Sequence, residues 1–366
     1  LAASVSALPA VSRAAKTHIR PRVDVGALHE PNPRLNRRIE DDATGLIIDG
    51  RLETAWSTQK TEWSFDPRLR LWRYEDSNDS DLENNDFWLP LNLALTGKRS
   101  TTKLLFEYSD IGVRSGELES ADSGPGGGST NVVFASDQRT QWRVEPEWAL
   151  QLTPRNLISI RATYLDTEFD NQRLARLDYT YLGGNAAWQY SLSEKLSLGV
   201  QAQASQFKSE SKAAKSDPDG TQGQATDNDT TTYGGSIFAN YLFSDTLSGS
   251  VYLGASSTEA EVTSNPFLDI VGTPFCIDNG VNISEPPCQG TFSNDAFTGN
   301  LSLTKKAERT SFTASLGQSI VPSSIGAETL RNEFRLRANH GFTRTVRGNV
   351  GILLFNETIA AATEQT

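Results

Sequence analysis

Residues 141–164 read QWRVEPEWALQLTPRNLISIRATY. Trp142, Val144, Pro146, Trp148 and Leu150 share one parity, and Gln141, Arg143, Glu145, Glu147, Ala149 and Gln151 share the other. Thr153-Pro154-Arg155-Asn156 forms a tight turn. Ile158, Ile160, Ala162 and Tyr164 then resume the apolar parity, against Ser159, Arg161 and Thr163. Side chains alternate between the two faces of a strand, so this is a hairpin with one apolar wall and one charged wall. Strands of a soluble sandwich run mostly about five or six residues. These run about ten, the length that a tilted strand needs to cross a bilayer. In that setting the tryptophans point outward, the reverse of a soluble fold.

The remaining composition fits this reading. The chain has 366 residues, a formal net charge of −11 and a mean hydropathy of −0.43. It contains no run of about 18 apolar residues, so a transmembrane helix is excluded. A membrane-crossing sheet is not excluded, because alternation makes its average hydropathy look soluble. Hydrophobic residues make up 37%, which is low for one apolar core of this size and fits a polar interior. Net acidity argues against nucleic acid as a partner. The sequence starts at Leu1 and has no methionine. Two readings of residues 1–16 stand: the tail of a secretory signal, or a flexible periplasmic extension. Residues 17–366 are expected to form one barrel domain. Cys276 and Cys288, with Gly280 and Pro286-Pro287 between them, are expected to close a short looped disulfide in an oxidising compartment.

The opening pattern repeats along the chain. Apolar parity recurs at Ile19–Val25, Leu46–Trp56, Trp63–Leu71, Phe87–Leu95 and Leu104–Tyr108, and after the quoted hairpin up to Trp188 and Tyr190. It continues at Leu196–Ala202, Tyr233–Tyr241, Leu247–Leu253, Leu301–Leu303, Phe312–Leu316, Phe334–Ala338 and Val350–Leu354, which makes fifteen strands. Two classes of connection alternate. Short turns fall at Thr58–Thr61, Gly97–Ser100, Thr153–Asn156, Ser193–Lys195, Ser244–Thr246, Lys305–Arg309 and Thr343–Thr345. Polar and mostly longer loops fall at Leu28–Asp42, Glu75–Asn85, Gly112–Ser136, Thr167–Arg176, Lys208–Asp229, Ser256–Asp295 and Pro322–Ala327. Short turns on one side and long loops on the other mark an outer-membrane barrel. The expected fold is therefore all-β: a transmembrane antiparallel up-and-down β-barrel in the bacterial outer membrane, with short periplasmic turns and long extracellular loops. Single-chain bacterial barrels have even strand counts. Fifteen visible strands thus predict sixteen, with the last absent from this sequence; the less favoured reading closes at fourteen. Trp56, Trp63, Trp148, Trp188, Tyr190, Tyr241 and Phe342 near the turns, and Trp72, Tyr74, Phe87, Tyr108 and Tyr164 near the loops, are expected to form two aromatic girdles.

Catalysis and cofactors find little support. His18, His29 and His340 have no metal-ligand spacing, and nucleophile-elbow, P-loop and haem-attachment motifs are missing. The chain is therefore read as non-enzymatic, with no cofactor and no metal. His340 falls on the lipid-facing parity near a turn. Gly124–Gly128 sits in a Ser- and Asp-rich loop with no following helix or lysine, so it reads as a flexible loop. Glu75–Glu83 and the Asp-rich runs at 217–219 and 227–229 lack the later bidentate glutamate of a calcium loop and read as solvated surface charge. A softer reading has divalent cations bridging these loops to lipopolysaccharide or polysaccharide.

The charged parity carries the candidate site. Arg20, Arg22, Asp24, Asp49, Arg51, Glu53, Asp66, Arg68, Arg70, Lys103, Glu107, Arg143, Glu145, Glu147 and Arg161 fall on the first seven strands. Arg331, Glu333, Arg335 and Arg337 fall on the fourteenth. Strands eight to thirteen turn Ser, Thr, Gln, Asn and Gly to that side, as at Ser197, Gln201, Gln203, Ser236, Asn240 and Ser302. Buried charges must be paired or wet. One lumen wall should then be a mixed-charge lattice and the other small and neutral. Two compatible readings follow: charged rows that brace a wall, and a transverse field that aligns polar solutes.

The stretches IRPRVDVGALHEPNPRLN, IDGRLETAW and LRLWRY resemble outer-membrane barrels of exopolysaccharide and exosortase-type surface systems. Leu192-Ser193-Glu194-Lys195 and Tyr241-Leu242-Phe243-Ser244-Asp245 are similar to the periplasmic turns of that group, and the overall layout resembles the general porin class. The resemblance implies fold and location and transfers no functional residue. The expected function is a porin-like channel for small polar solutes or polysaccharide. The alternative is a non-enzymatic anchor or assembly component whose loops bind a surface polymer or another envelope protein. Expected partners are outer-membrane lipid and lipopolysaccharide.

Overall fold

The period-two alternation produces an all-β chain. The computed structural model describes residues 15–31, 42–75, 83–112, 138–170, 178–210, 226–264, 267–268, 274–278, 281–283, 288–322, 328–343 and 347–359. In chain order the strands are β1 (Lys16–Pro31), β2 (Asp42–Ser57), β3 (Thr61–Phe65), β4 (Arg68–Tyr74), β5 (Asn84–Thr96) and β6 (Ser100–Gly112). Next come β7 (Gln138–Thr153), β8 (Asn156–Phe169), β9 (Asp178–Ser191), β10 (Leu196–Glu210), β11 (Thr226–Ser244) and β12 (Leu247–Ser264). Three short strands follow, β13 (Phe267–Leu268), β14 (Pro274–Asp278) and β15 (Val281–Ile283). The last four are β16 (Cys288–Lys306), β17 (Thr310–Pro322), β18 (Glu328–Gly341) and β19 (Arg347–Ile359).

Sixteen of these strands form one antiparallel sheet in chain order from β1 to β19, and β13–β15 form a small separate sheet. β3 and β4 are two halves of one stave. Both keep the same register against β2 and against β5, and the ladder lapses only at Asp66-Pro67. Proline has no N–H to donate, so the ladder breaks there while the strand direction continues. The Pro67 carbonyl still accepts from Leu52 N at 3.0 Å. The sheet therefore has fifteen staves, matching the fifteen stretches of alternation. An odd count makes β1 and β19, the two ends of the order, run in the same direction.

The two faces differ in burial as a bilayer-spanning sheet requires. Large apolar side chains stand exposed along one face, among them Ile237 at 60%, Leu301 at 54% and Trp188 at 45%. Trp142 and Trp148 of the quoted hairpin belong to this outer face, exposed by 44% and 37%. So continuous an apolar surface facing outward belongs in lipid, not water. From β2 to β12 the opposite, inner face is mostly half-buried in its turn-side half and mostly buried in its loop-side half.

Four of the short turns have a shared local cause. A Ser or Thr opens the turn, and its hydroxyl accepts a backbone N–H three residues on. Thr58 accepts from Thr61 at 3.0 Å, Thr153 from Asn156 at 3.1 Å, Ser193 from Leu196 at 3.1 Å, and Ser244 from Leu247 at 3.1 Å. This hydroxyl substitutes for a backbone acceptor and fixes where each strand stops.

Several connections are shorter than the sequence reading expects. The region 256–295 is not one loop: β12 and β16 stay in register as far as Ser264 and Cys288. Likewise β10 and β11 are paired from Ser197 out to Ser209 and Asn228. These extensions are rich in Ser, Thr, Glu and Asp, and strand that stands clear of lipid needs no apolar parity. Gly124–Gly128, most of Glu75–Glu83, Asp217–Asp219 and most of residues 1–16 lie outside the described residues.

Candidate functional site

Register assembles the inner face from residues far apart in sequence. Arg22 opposes Arg51, Arg51 opposes Arg68, and Asp49 opposes Arg70. Asp49 accepts from Arg68 at 2.5 Å and from Arg70 at 3.0 Å. Arg51 pairs with Asp66 and lies 3.7 Å from Glu53. Arg22 meets Asp24 at 2.6 Å, and Arg20 lies in register with Glu53. Farther round, Glu147 pairs with Lys103 at 3.3 Å and with Arg161, and Arg143 meets Glu145 at 2.6 Å. Glu107 is in register with Arg143. On β18, Glu333 bridges Arg331 at 3.3 Å and Arg335 at 3.0 Å; Arg337 shares their parity. All nineteen charged residues singled out from the sequence thus lie on one face, as Ser197, Gln201, Gln203, Ser236, Asn240 and Ser302 do on the intervening strands.

The charged wall also holds residues that the parity reading missed. Asp86 is fully buried and accepts from Trp72 Nε1 at 2.7 Å, Asn84 Nδ2 at 2.5 Å and Gly112 N at 2.8 Å. One carboxylate thereby ties the loop-side ends of β4, β5 and β6. Trp88 faces inward, with the Arg68 guanidinium 4.8 Å and the Arg70 guanidinium 5.3 Å from its ring centre. Such stacking holds the arginines in place while their edge N–H groups donate to Asp49. Glu62 and Arg139 share the same face. Trp88 escaped detection because Phe87-Trp88-Leu89-Pro90-Leu91 is apolar on both parities, so alternation says nothing there. Trp72 and Tyr74 are not girdle residues. Trp72 carries an inward hydrogen bond to Asp86, and Tyr74, two residues on, is buried against Ala43.

The other wall, β9 to β17, is neutral but not small. Apart from Lys306 at the turn end, no inner side chain of these strands is charged among the described residues. Hydroxyls bond to neutral groups there: Thr232 to the Thr258 hydroxyl at 2.9 Å, and Thr230, donating, to Asn228 Oδ1 at 3.1 Å. Aromatics accompany them, correcting the expectation of small residues only. Tyr179, Tyr181 and Phe207 pack with Leu165 and Phe169 into an inner apolar cluster, and Phe238 and Tyr252 are in register beside each other. Phe238 lies across Gly199, where an added Cβ would meet its ring at 2.2 Å.

A pocket of about 440 Å³ opens in the turn-side half of the charged wall, lined on its inner side by Glu62, Ser64, Asn92, Lys103, Glu145, Glu147 and Arg161. His29 contacts Thr44, and His340 contacts Thr310 on the outer parity near a turn. Among the described residues no group of three or more His, Cys, Asp or Glu side chains is placed to hold a metal ion. The backbone puts Cys276 on β14 and Cys288 at the start of β16. The side chains of both cysteines, and hence the expected disulfide, lie outside the described residues.

No family model matches the chain, and no curated protein matches its sequence. Solved structures do match. The ferric-catecholate import receptor Fiu from E. coli K12, in its open form, is 11% identical with a TM-score of 0.48 over 94% of this chain and 65% of that one. The copper transporter OprC is 13% identical, with a TM-score of 0.43 over 92% and 53%. A loop-deletion mutant of OmpT, an outer membrane protein of Vibrio cholerae, is 11% identical, with a TM-score of 0.31 over 94% and 100%. The chain thus spans under two thirds of the lengths of Fiu and OprC. On its own strand order, alternating connections and exposed apolar face, the chain is an up-and-down β-sheet protein of the bacterial outer membrane.

Proposed function

We propose that the chain forms a non-enzymatic passage for small polar solutes across the outer membrane. The supporting observation is the division of the inner face into a paired-charge wall and a neutral hydroxyl–aromatic wall. Fixed charges of both signs on one side, facing neutral donors and acceptors, orient a polar solute and replace part of its hydration. The lattice of ion pairs also braces the wall, and the two roles are compatible. Solute transport, rather than polysaccharide export, is favoured by a loop-side inner half that is buried through Asp86, Gln141, Leu165, Thr167, Phe207 and Thr230. A thick polymer needs a wide continuous bore.

That same burial favours a second reading: an anchor whose loops engage a surface polymer or envelope protein over an occluded interior. Conductance of the refolded chain in a planar bilayer separates the two. Discrete single-channel steps support passage. Silence from a sheet that is correctly folded by circular dichroism overturns passage and leaves the anchor reading.

A further inference from the structure

The pocket in the charged wall has an internal charge asymmetry that none of its ion pairs cancels. Its base is a single cross-strand rung. Glu62 is in register with Ala94, Ala94 with Lys103, Lys103 with Glu147, and Glu147 with Arg161. Lys103 and Arg161 share one carboxylate, Glu147, which leaves that end of the rung one positive charge in excess. Glu62, at the other end, accepts only from Ser57 Oγ at 3.2 Å and has no cationic partner among the described residues. Its charge is one negative in excess. The small Ala94 separates the two ends. Neighbouring strands lie about 4.8 Å apart, so Glu62 and Lys103 stem from backbones about 10 Å apart. The pocket above them has room for a solute of several heavy atoms.

We propose that this pocket is a binding site for zwitterionic solutes of amino-acid type. The ammonium sits against Glu62, and the carboxylate sits against Lys103 and Arg161. Each of these cations keeps donors beyond those given to Glu147, and an arginine fork suits a carboxylate. A solute of single charge satisfies one end and leaves the other uncompensated, so the site ranks solutes by carrying both charges. The proposal rests on the passage reading for the solute's arrival, but not for its binding.

Calorimetric titration of the refolded chain in detergent micelles tests it, with 4-aminobutyrate as the zwitterion, butylamine as the cation and butyrate as the anion. The zwitterion should bind about tenfold more tightly than either singly charged probe. Glu62→Gln should weaken 4-aminobutyrate and butylamine about fivefold and leave butyrate unchanged, the size expected for one accessible ion pair. Lys103→Gln should do the reverse, weakening 4-aminobutyrate and butyrate and sparing butylamine. Equal affinity for the three probes, no heat with any of them, or loss of all three in both variants would overturn the site. Bilayer recording separates this from the passage reading. A silent chain that binds with the stated pattern keeps the site and loses passage. A conducting chain that does not discriminate keeps passage and loses the site.

Discussion

The wall built by β2 to β8 and the wall built by β9 to β17 have one backbone geometry and two different interiors. Both are antiparallel staves with the same alternation and an outer apolar face. On the first, many inner side chains are ionic, and most of these are held in ion pairs, as Asp49 is by Arg68 and Arg70. On the second they are neutral, and hold by hydroxyl bonds and ring packing, as in Thr232–Thr258 and Tyr179–Phe207. The difference shows that a sheet dictates where side chains point, not which chemistry satisfies them there. It also means that the two walls should fail differently. A charged wall loses stability when one partner is removed, because the other is left uncompensated. A neutral wall loses it through cavities.

The largest test of this contrast is Phe207→Ala. Its ring is fully buried against Leu165, Phe169 and Tyr179, so truncation should cost about 4 kcal/mol. A urea midpoint equal to that of the unaltered chain would mean the neutral wall is not packed. Next comes Asp86→Ala, which strips the acceptor from Trp72 Nε1, Asn84 Nδ2 and Gly112 N. We expect a loss of about 3 kcal/mol, with faster amide hydrogen exchange at the loop-side ends of β5 and β6. Asp49→Asn should cost about 2 kcal/mol, because it removes the charge of the carboxylate that accepts from two partly buried arginines. The contrast sharpens in the double variant Asp49→Asn with Arg70→Gln. Its cost should be smaller than the sum of the single losses, whereas strict additivity would deny that the pair is coupled. Smallest is Thr232→Val, at about 1 kcal/mol in the same urea series, since it removes one neutral hydrogen bond at nearly constant volume.

Outside the two walls, the lipid orientation has its own check. Ile237→Arg, on the exposed apolar face, should lower stability in vesicles by about 3 kcal/mol and matter little in a fold that faces water.

Alternation by itself determined the strand count, the turn positions, which side of each stave meets lipid, and which charged residues share a face. Those follow from a period of two and from hydroxyl-led turns, both local properties. Strand ends beyond lipid were illegible in 256–264 and 288–295, because polar extensions lack an apolar parity. So was the inner placement of Trp88, inside a run that is apolar on both parities, and of Trp72, Tyr74 and the aromatics of the neutral wall. Only tertiary structure decided which charge meets which. Arg51 chooses Asp66 and Glu147 is shared by Lys103 and Arg161 because register places them on adjacent strands, although they lie fourteen to forty-four residues apart in the chain. The solitary charge of Glu62 is likewise a product of register: its cross-strand neighbours are Ser57 and Ala94, and neither is a cation.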